Sequence, residues 1–149
     1  MRYVGAHLAS LEFDVAELAM RMDMYPNFAV EIGGRTRYLM WQAHGKVRAF
    51  FIKYQDRIMY GTDMGASAGF NDHQRREQKE RIKERNGQFA RYYATDDEIP
   101  FGDLLSSDKP VREPEYYVTG LALPKEILKK IYYDNVLKWF PGVEQDYRD

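Results

Sequence analysis

The chain has 149 residues, of which 44% are hydrophobic and 30% charged, with a net charge of -1 and no cysteine. One domain with a real core fits that length and composition. The balanced charge gives no general pull toward nucleic acid, anionic membrane or acidic substrate, and the absence of thiols removes disulfide frameworks and thiolate metal sites.

The opening residues show no basic leader followed by an apolar region, and no stretch reaches the ~18–20 apolar residues that cross a bilayer. A cytoplasmic setting fits these features. Arg2 to Leu8, with Tyr3, Val4 and Leu8, reads as a strand buried on both faces, so that the chain opens in mid-core and implies sequence upstream. Asp14 then caps a helix, with Glu17 placed to complete a capping box, and Val15, Leu18, Ala19 and Met22 line its apolar face. Pro26 ends that helix, and Asn27 to Ile32 is the second strand, closed by Gly33-Gly34. From Thr36 to Tyr54 apolar residues recur at helical spacing, with Gly45 a natural break. Arg57 to Thr62 is the third strand, followed by Asp63 and the small-residue loop Gly65-Ala66-Ser67-Ala68-Gly69.

The 70–123 segment interrupts this alternation. It opens with a charged helix, His73 to Tyr93, and continues through the acidic run Asp96-Asp97-Glu98 and Lys109-Pro110. Pro124, a good first-turn residue, starts a last helix that runs to Trp139, with Ile127, Leu128 and Ile131 on its apolar stripe. The order is β-α-β-α-β-(insertion)-α. Strands spaced by one βα repeat call for a parallel sheet with helices packed on it. Three such strands leave open edges, whereas a closed eight-unit barrel needs ~200 residues or more. The expected fold class is therefore α/β: the last three βα units of a partial TIM-like (β/α) barrel spanning 1–149, with 70–123 as a helical insertion where barrel enzymes build substrate lids.

In such a barrel the C-terminal ends of the strands face the active-site mouth. His7, the Gly33-Gly34-Arg35 turn and Asp63 fall there. Each has a plainer use: His7 as a satisfied core histidine, Asp63 as a turn residue, Arg35 as a salt-bridge partner. Arg35 could instead bind a substrate carboxylate bidentately. His44 and His73 read as structural or surface residues, and Asn135 as a local hydrogen-bonding residue. The 73–85 stretch interleaves its bases with acids, Glu77 with Arg81 and Glu80 with Lys83, which describes a self-paired solvated helix better than a nucleic-acid surface. The tyrosines lack the spacing of a stacking platform.

Four runs, Tyr3-Val-Gly-Ala-His7-Leu, Tyr25-Pro-Asn-Phe-Ala-Val-Glu31, Asp56-Arg-Ile-Met-Tyr-Gly-Thr-Asp63 and Ile131-Tyr-Tyr-Asp-Asn135-Val, resemble the closing motifs of the amidohydrolase-2 family. That family belongs to the metal-dependent amidohydrolase superfamily of distorted TIM barrels and holds hydrolases and non-oxidative decarboxylases. The resemblance covers most of 2–64 and 122–142, and it makes the three strands beginning near residues 2, 27 and 57 the last three of the barrel. It implies that Asp63 contacts a divalent metal (zinc above all) and takes the proton of the attacking water, whose pKa the metal lowers. It places His7 beside that water or the substrate's developing charge, with a small molecule as substrate. The family's His-x-His pair and further His ligand belong to earlier strands; here only His7, His44 and His73 occur, and none forms a His-x-His. Zinc usually needs three or four protein ligands, so this chain alone is expected to be inactive. The alternative expectation is a non-catalytic part-barrel that covers its open sheet by self-association or by docking on a partner.

Overall fold

A computed structural model describes residues 1–64, 69–100 and 117–143; residues 65–68 of the small-residue loop, the Lys109-Pro110 stretch and the C-terminal tail lie outside the described residues. The elements are β1 (Tyr3–Gly5), α1 (Val15–Met24), β2 (Phe28–Glu31), α2 (Thr36–Met40), α3 (His44–Lys53), β3 (Ile58–Met59), α4 (Asp72–Ala94), β4 (Glu98–Pro100), β5 (Tyr117–Thr119), α5 (Lys125–Lys129), a π-helical turn (Lys130–Asp134) and α6 (Asn135–Trp139). Strands β1, β2 and β3 form a parallel sheet in that order, with Val4 beside Ala29 and Val30 beside Ile58. The mixed α/β class and the parallel sheet follow the sequence expectation; the sheet is not closed into a barrel.

Strand alternation divides the core between the sheet's two faces. On one face Val30 and Ile58 meet Leu18 and Met22 of α1 and Val47 and Phe51 of α3, all fully buried or nearly so. Each such side chain contributes about 1.5–3 kcal/mol on burial. On the other face Val4, Ala29 and Met59 meet Val136 and Trp139 of α6. The α1 apolar face forms as its spacing requires. The capping box does not: Asp14 accepts from the Ala16 N–H at 2.8 Å, while Glu17 turns to Arg21 at 3.2 Å. A full capping box forms instead at α4, where Asn71 and Gln74 cap each other.

Four expectations are corrected. The first strand is an edge and is not buried on both faces: Tyr3 is 53% exposed, and Val4 and Gly5 are only partly covered. It stops at Gly5, because His7 to Ser10 adopt left-handed backbone with φ between 54° and 59°. Such angles cost roughly 1–2 kcal/mol per non-glycine residue; the full burial of Leu8 in the core helps hold the turn. The break between α2 and α3 falls at Trp41-Gln42-Ala43, ahead of Gly45, so His44 opens α3. Gln42 explains the position: its Oε1 accepts from Val15 N–H and its Nε2 donates to Glu12 O, tying the chain ahead of α1 to the end of α2. The third strand shortens to Ile58–Met59.

The 70–123 segment contains strands as well as the long helix. Strands β4 and β5 pair antiparallel, and the backbone from Gly120 to Leu123 satisfies carbonyls at and just beyond the end of α4: Leu121 and Leu123 donate to Tyr92 O and Tyr93 O. These are the orphan acceptors every helix end carries. Phe89, Tyr92, Tyr93, Ile99, Leu121 and Leu123 join the main core, so the end of this segment is built into the fold, while α4 before Phe89 is mostly exposed. There Glu77 contacts His73 rather than Arg81. His44 Nε2 bonds Gly120 O and Arg48 Nε donates to Leu121 O, which gives His44 a structural task.

The C-terminal helix ends the sheet. Ile127, Ile131, Asn135 and Trp139 are all buried, a strict four-residue repeat that a 3.6-residue helix cannot hold on one line. The π turn supplies the extra width. Asn135 Nδ2 donates to Ile58 O and Gln55 O, both at 2.7 Å, and Tyr60 N–H donates to Ile131 O at 2.9 Å. Ile58 and Tyr60 point away from β2, so the helix takes the edge positions a further strand would use. The opposite edge, β1, has no strand beyond it among the described residues.

Candidate functional site

The C-terminal ends of β1, β2 and β3 converge on one polar cluster. Just past β1, His7 places Nδ1 2.8 Å from Gly33 O. A carbonyl has no proton to give, so Nδ1 is the donor, and in the neutral ring Nε2 keeps its lone pair. That nitrogen faces Asp63 Oδ1 at 3.9 Å, beyond hydrogen-bond reach. The two side chains are 34% and 49% exposed, so a solute can reach the gap between them. His7 and Asp63, two of the residues expected at the mouth, therefore share one rim.

Asp63 sits there by backbone geometry. Its φ is 51°, and it packs against the Gly33-Gly34 turn, where a Cβ on Gly34 (φ 65°) would stand 2.6 Å from Asp63 Oδ2. Among the described residues its carboxylate makes no hydrogen bond, so the turn-capping use weighed for it does not occupy it there.

Arg35 lies at the next position but points to another partner. Its Nε stands 3.2 Å from Glu12 Oε1, in an ion pair whose acid is nine-tenths buried. The pair is not aligned as a hydrogen bond, and Arg35 Nε and Glu12 Oε2 are both buried without one. The guanidinium also reaches Gly34 O at 3.3 Å and lies over the Tyr38 ring. This is the salt-bridge use of Arg35, with Glu12 where a substrate carboxylate would bind.

One residue of the rim was not singled out from the sequence. Glu31, the last residue of β2, accepts the His7 N–H on Oε1 at 2.6 Å and the Gly33 N–H on Oε2 at 2.8 Å. The signal was an acid ending an otherwise apolar strand, Phe28-Ala29-Val30-Glu31, on the same face as Ala29.

The first half of the Asp56-to-Asp63 run is structural. Arg57 Nη1 donates to Met22 O at 2.7 Å and Tyr25 O at 3.2 Å, closing the α1–β2 loop, and Asp56 pairs with Lys130 at 3.0 Å. At the opposite, N-terminal end of the sheet an open groove of about 460 Å³ is lined by Arg2, Pro26, Asn27, Asp56, Arg57, Lys138 and Trp139. It is remote from the His7 rim.

Two donors each ~2.0–2.2 Å from a tetrahedral zinc lie roughly 3.3–3.5 Å apart, so His7 Nε2 and Asp63 Oδ1, at 3.9 Å, stand wider than a shared zinc would hold them. Among the described residues no group of three His, Asp or Glu side chains is arranged to hold a metal. His7 and Asp63 alone fall short of the three or four protein ligands zinc usually takes. No helix among those residues is long and apolar enough to cross a membrane.

Fold and rim together define an α/β protein with an imidazole and two carboxylates gathered at the C-terminal edge of a short parallel sheet. No family model, characterised protein or solved structure matches the chain.

Proposed function

We propose that this chain is the closing part of an amidohydrolase-2-type barrel, whose intact form hydrolyses a C–N or C–O bond of a small molecule or performs a related non-oxidative decarboxylation. The observation that carries the reading is the shared rim: His7 Nε2 and Asp63 Oδ1 meet 3.9 Å apart at the ends of β1 and β3, with β2 between them. In this reading Asp63, with no hydrogen bond among the described residues, takes the proton of an attacking water. His7 offers Nε2 to the same water or to the substrate. General acid–base work of this kind contributes ~10²–10⁴-fold. Arg35 serves as an anion anchor only if substrate displaces Glu12. A divalent metal would draw its other ligands from strands this chain does not contain, and the chain alone is inactive.

The coding sequence upstream of Met1 tests this directly. An in-frame strand with His-x-His and a second His strand are expected there, and the protein expressed from that longer frame should lose at least about a hundredfold in kcat on Asp63→Asn. An unrelated gene upstream, or an Asp63→Asn protein with unchanged kcat, defeats the proposal.

The β1 edge, with no strand beyond it among the described residues, favours a second reading, self-association or docking of the part-barrel through that edge. Sedimentation velocity decides it: a monomer at all concentrations, with a sharp unfolding transition, removes it.

A further inference from the structure

We propose that Glu31 is the positioning residue of this rim: it fixes which nitrogen of His7 faces Asp63. The inference deepens the functional reading above and rests on it for taking His7 as a site residue.

The tautomer of a histidine is set by the bond its other nitrogen makes. Here that bond runs from His7 Nδ1–H to Gly33 O, at 2.8 Å, and Glu31 holds both of its ends. Its Oε1 accepts the backbone N–H of His7 at 2.6 Å, and its Oε2 accepts the backbone N–H of Gly33 at 2.8 Å. The first bond places the residue that carries the imidazole, and the second orients the Gly33 peptide that receives the proton. Oε1 also lies 3.4 Å from Nδ1 itself, so its negative charge favours a proton on that nitrogen.

The neighbouring glycines make room for this carboxylate. A Cβ on Gly61 would come 2.1 Å from Glu31 Oε2, and one on Gly33 would come 2.6 Å from it. Gly61 follows β3, Gly33 follows β2 and His7 follows β1. One side chain thus touches the ends of all three strands. A plain strand-end acid facing solvent would need neither glycine, nor two backbone donors from different loops.

The test is long-range ¹H–¹⁵N NMR of the His7 ring in the full chain, without added metal. Wild type should show Nδ1 as the protonated nitrogen and Nε2 as the bare one, with a roughly tenfold bias, the scale expected from the bond to Gly33 O with the Glu31 charge beside Nδ1. In Glu31→Gln the amide can accept one N–H and presents its own NH₂ to the other, so the bias should fall to about twofold or less. Glu31→Asp, one methylene shorter, should lose it too despite keeping the charge.

A His7 ring in the Nε2–H form in wild type overturns the proposal, whether or not either variant folds. Ring shifts unchanged in a folded Glu31→Gln protein overturn it as well, even if that protein melts earlier. Failure of the hydrolase reading looks different: a longer frame without activity would leave the His7 ring spectrum and its response to Glu31→Gln untouched.

Discussion

Replacing Asn135 by alanine removes the two bonds that finish the outer edge of β3. The side chain is 2% exposed, and Nδ2 donates to Ile58 O and Gln55 O at 2.7 Å each. A net hydrogen bond is worth ~1 kcal/mol, and a buried carbonyl left without a donor costs ~1–3 kcal/mol. With Ile58 O fully orphaned and Gln55 O nearer solvent, the expected loss is about 2–4 kcal/mol. That is a large share of the ~5–15 kcal/mol typical of a folded domain. Urea unfolding followed by circular dichroism should show a lower midpoint with an unchanged slope. The melting temperature should fall by about 5–15 °C, at ~2–4 °C per kcal/mol for a chain of this size. Asn135→Asp sharpens the test, because a carboxylate has no proton to give either carbonyl. It should be worse than alanine at neutral pH. Its introduced carboxyl, facing two carbonyl oxygens, would hold a proton more tightly folded than unfolded, so acidification should restore part of the loss. A loss below ~1 kcal/mol for Asn135→Ala, or an aspartate variant more stable than the alanine one at pH 7, would refute the edge-capping account.

Burial, with Tyr60 adding to it, pushes the Tyr132 hydroxyl up to about 12, and burial raises Tyr60, Tyr92 and Tyr93 as well. Because the folded state holds these protons more tightly, their contribution is intact below pH ~10 and is lost as pH rises toward 12 and beyond. Tyrosinate absorbance should therefore lag behind that of free tyrosine, and the melting temperature should fall above pH 10; full titration at pH 10 with no loss of stability would contradict the buried cluster. Ser10→Gly relieves an exposed left-handed residue (φ 59°) and should be neutral or stabilise by up to about 1 kcal/mol, after the ~0.5–1 kcal/mol entropic penalty of glycine; a clear destabilisation in urea would show that the left-handed turn is wrongly placed. Isothermal titration of this chain with Zn²⁺ should show weak binding that Asp63→Asn reduces further, whereas tight stoichiometric binding unaffected by Asp63→Asn would mean that the ligands lie elsewhere.

Periodicity made the elements legible: the α1 face at Val15, Leu18 and Met22, the helical spacing of Val47, Phe50, Phe51 and Tyr54, and strands one βα repeat apart. Those are local patterns, and β-α-β order compels parallel pairing, so His7 and Asp63 could be assigned to one rim from chain order alone. The strand ends were less legible. Nothing local marks His7 to Ser10 as left-handed, and no short-range signal shortens β3 to two residues; tertiary packing decides both. Strands β4 and β5 were missed because their pairing bridges a long connection that carries no hairpin turn signal at their ends.

The residues named from the sequence were those whose chemistry is conspicuous in isolation: a histidine, an aspartate and an arginine next to strand ends. Their partners emerge only in three dimensions. Arg35 meets Glu12 because the His7–Ser10 turn and the segment after it return along the end of β2, and Glu31 acquires its two donors because three loops close around it. The chain's alternation of apolar periods, a property of neighbours along the backbone, determined the parallel α/β layout and the shared rim. Which side chain pairs with which, and where the sheet stops, depends on distances between segments far apart in sequence, and only the packed fold sets those distances.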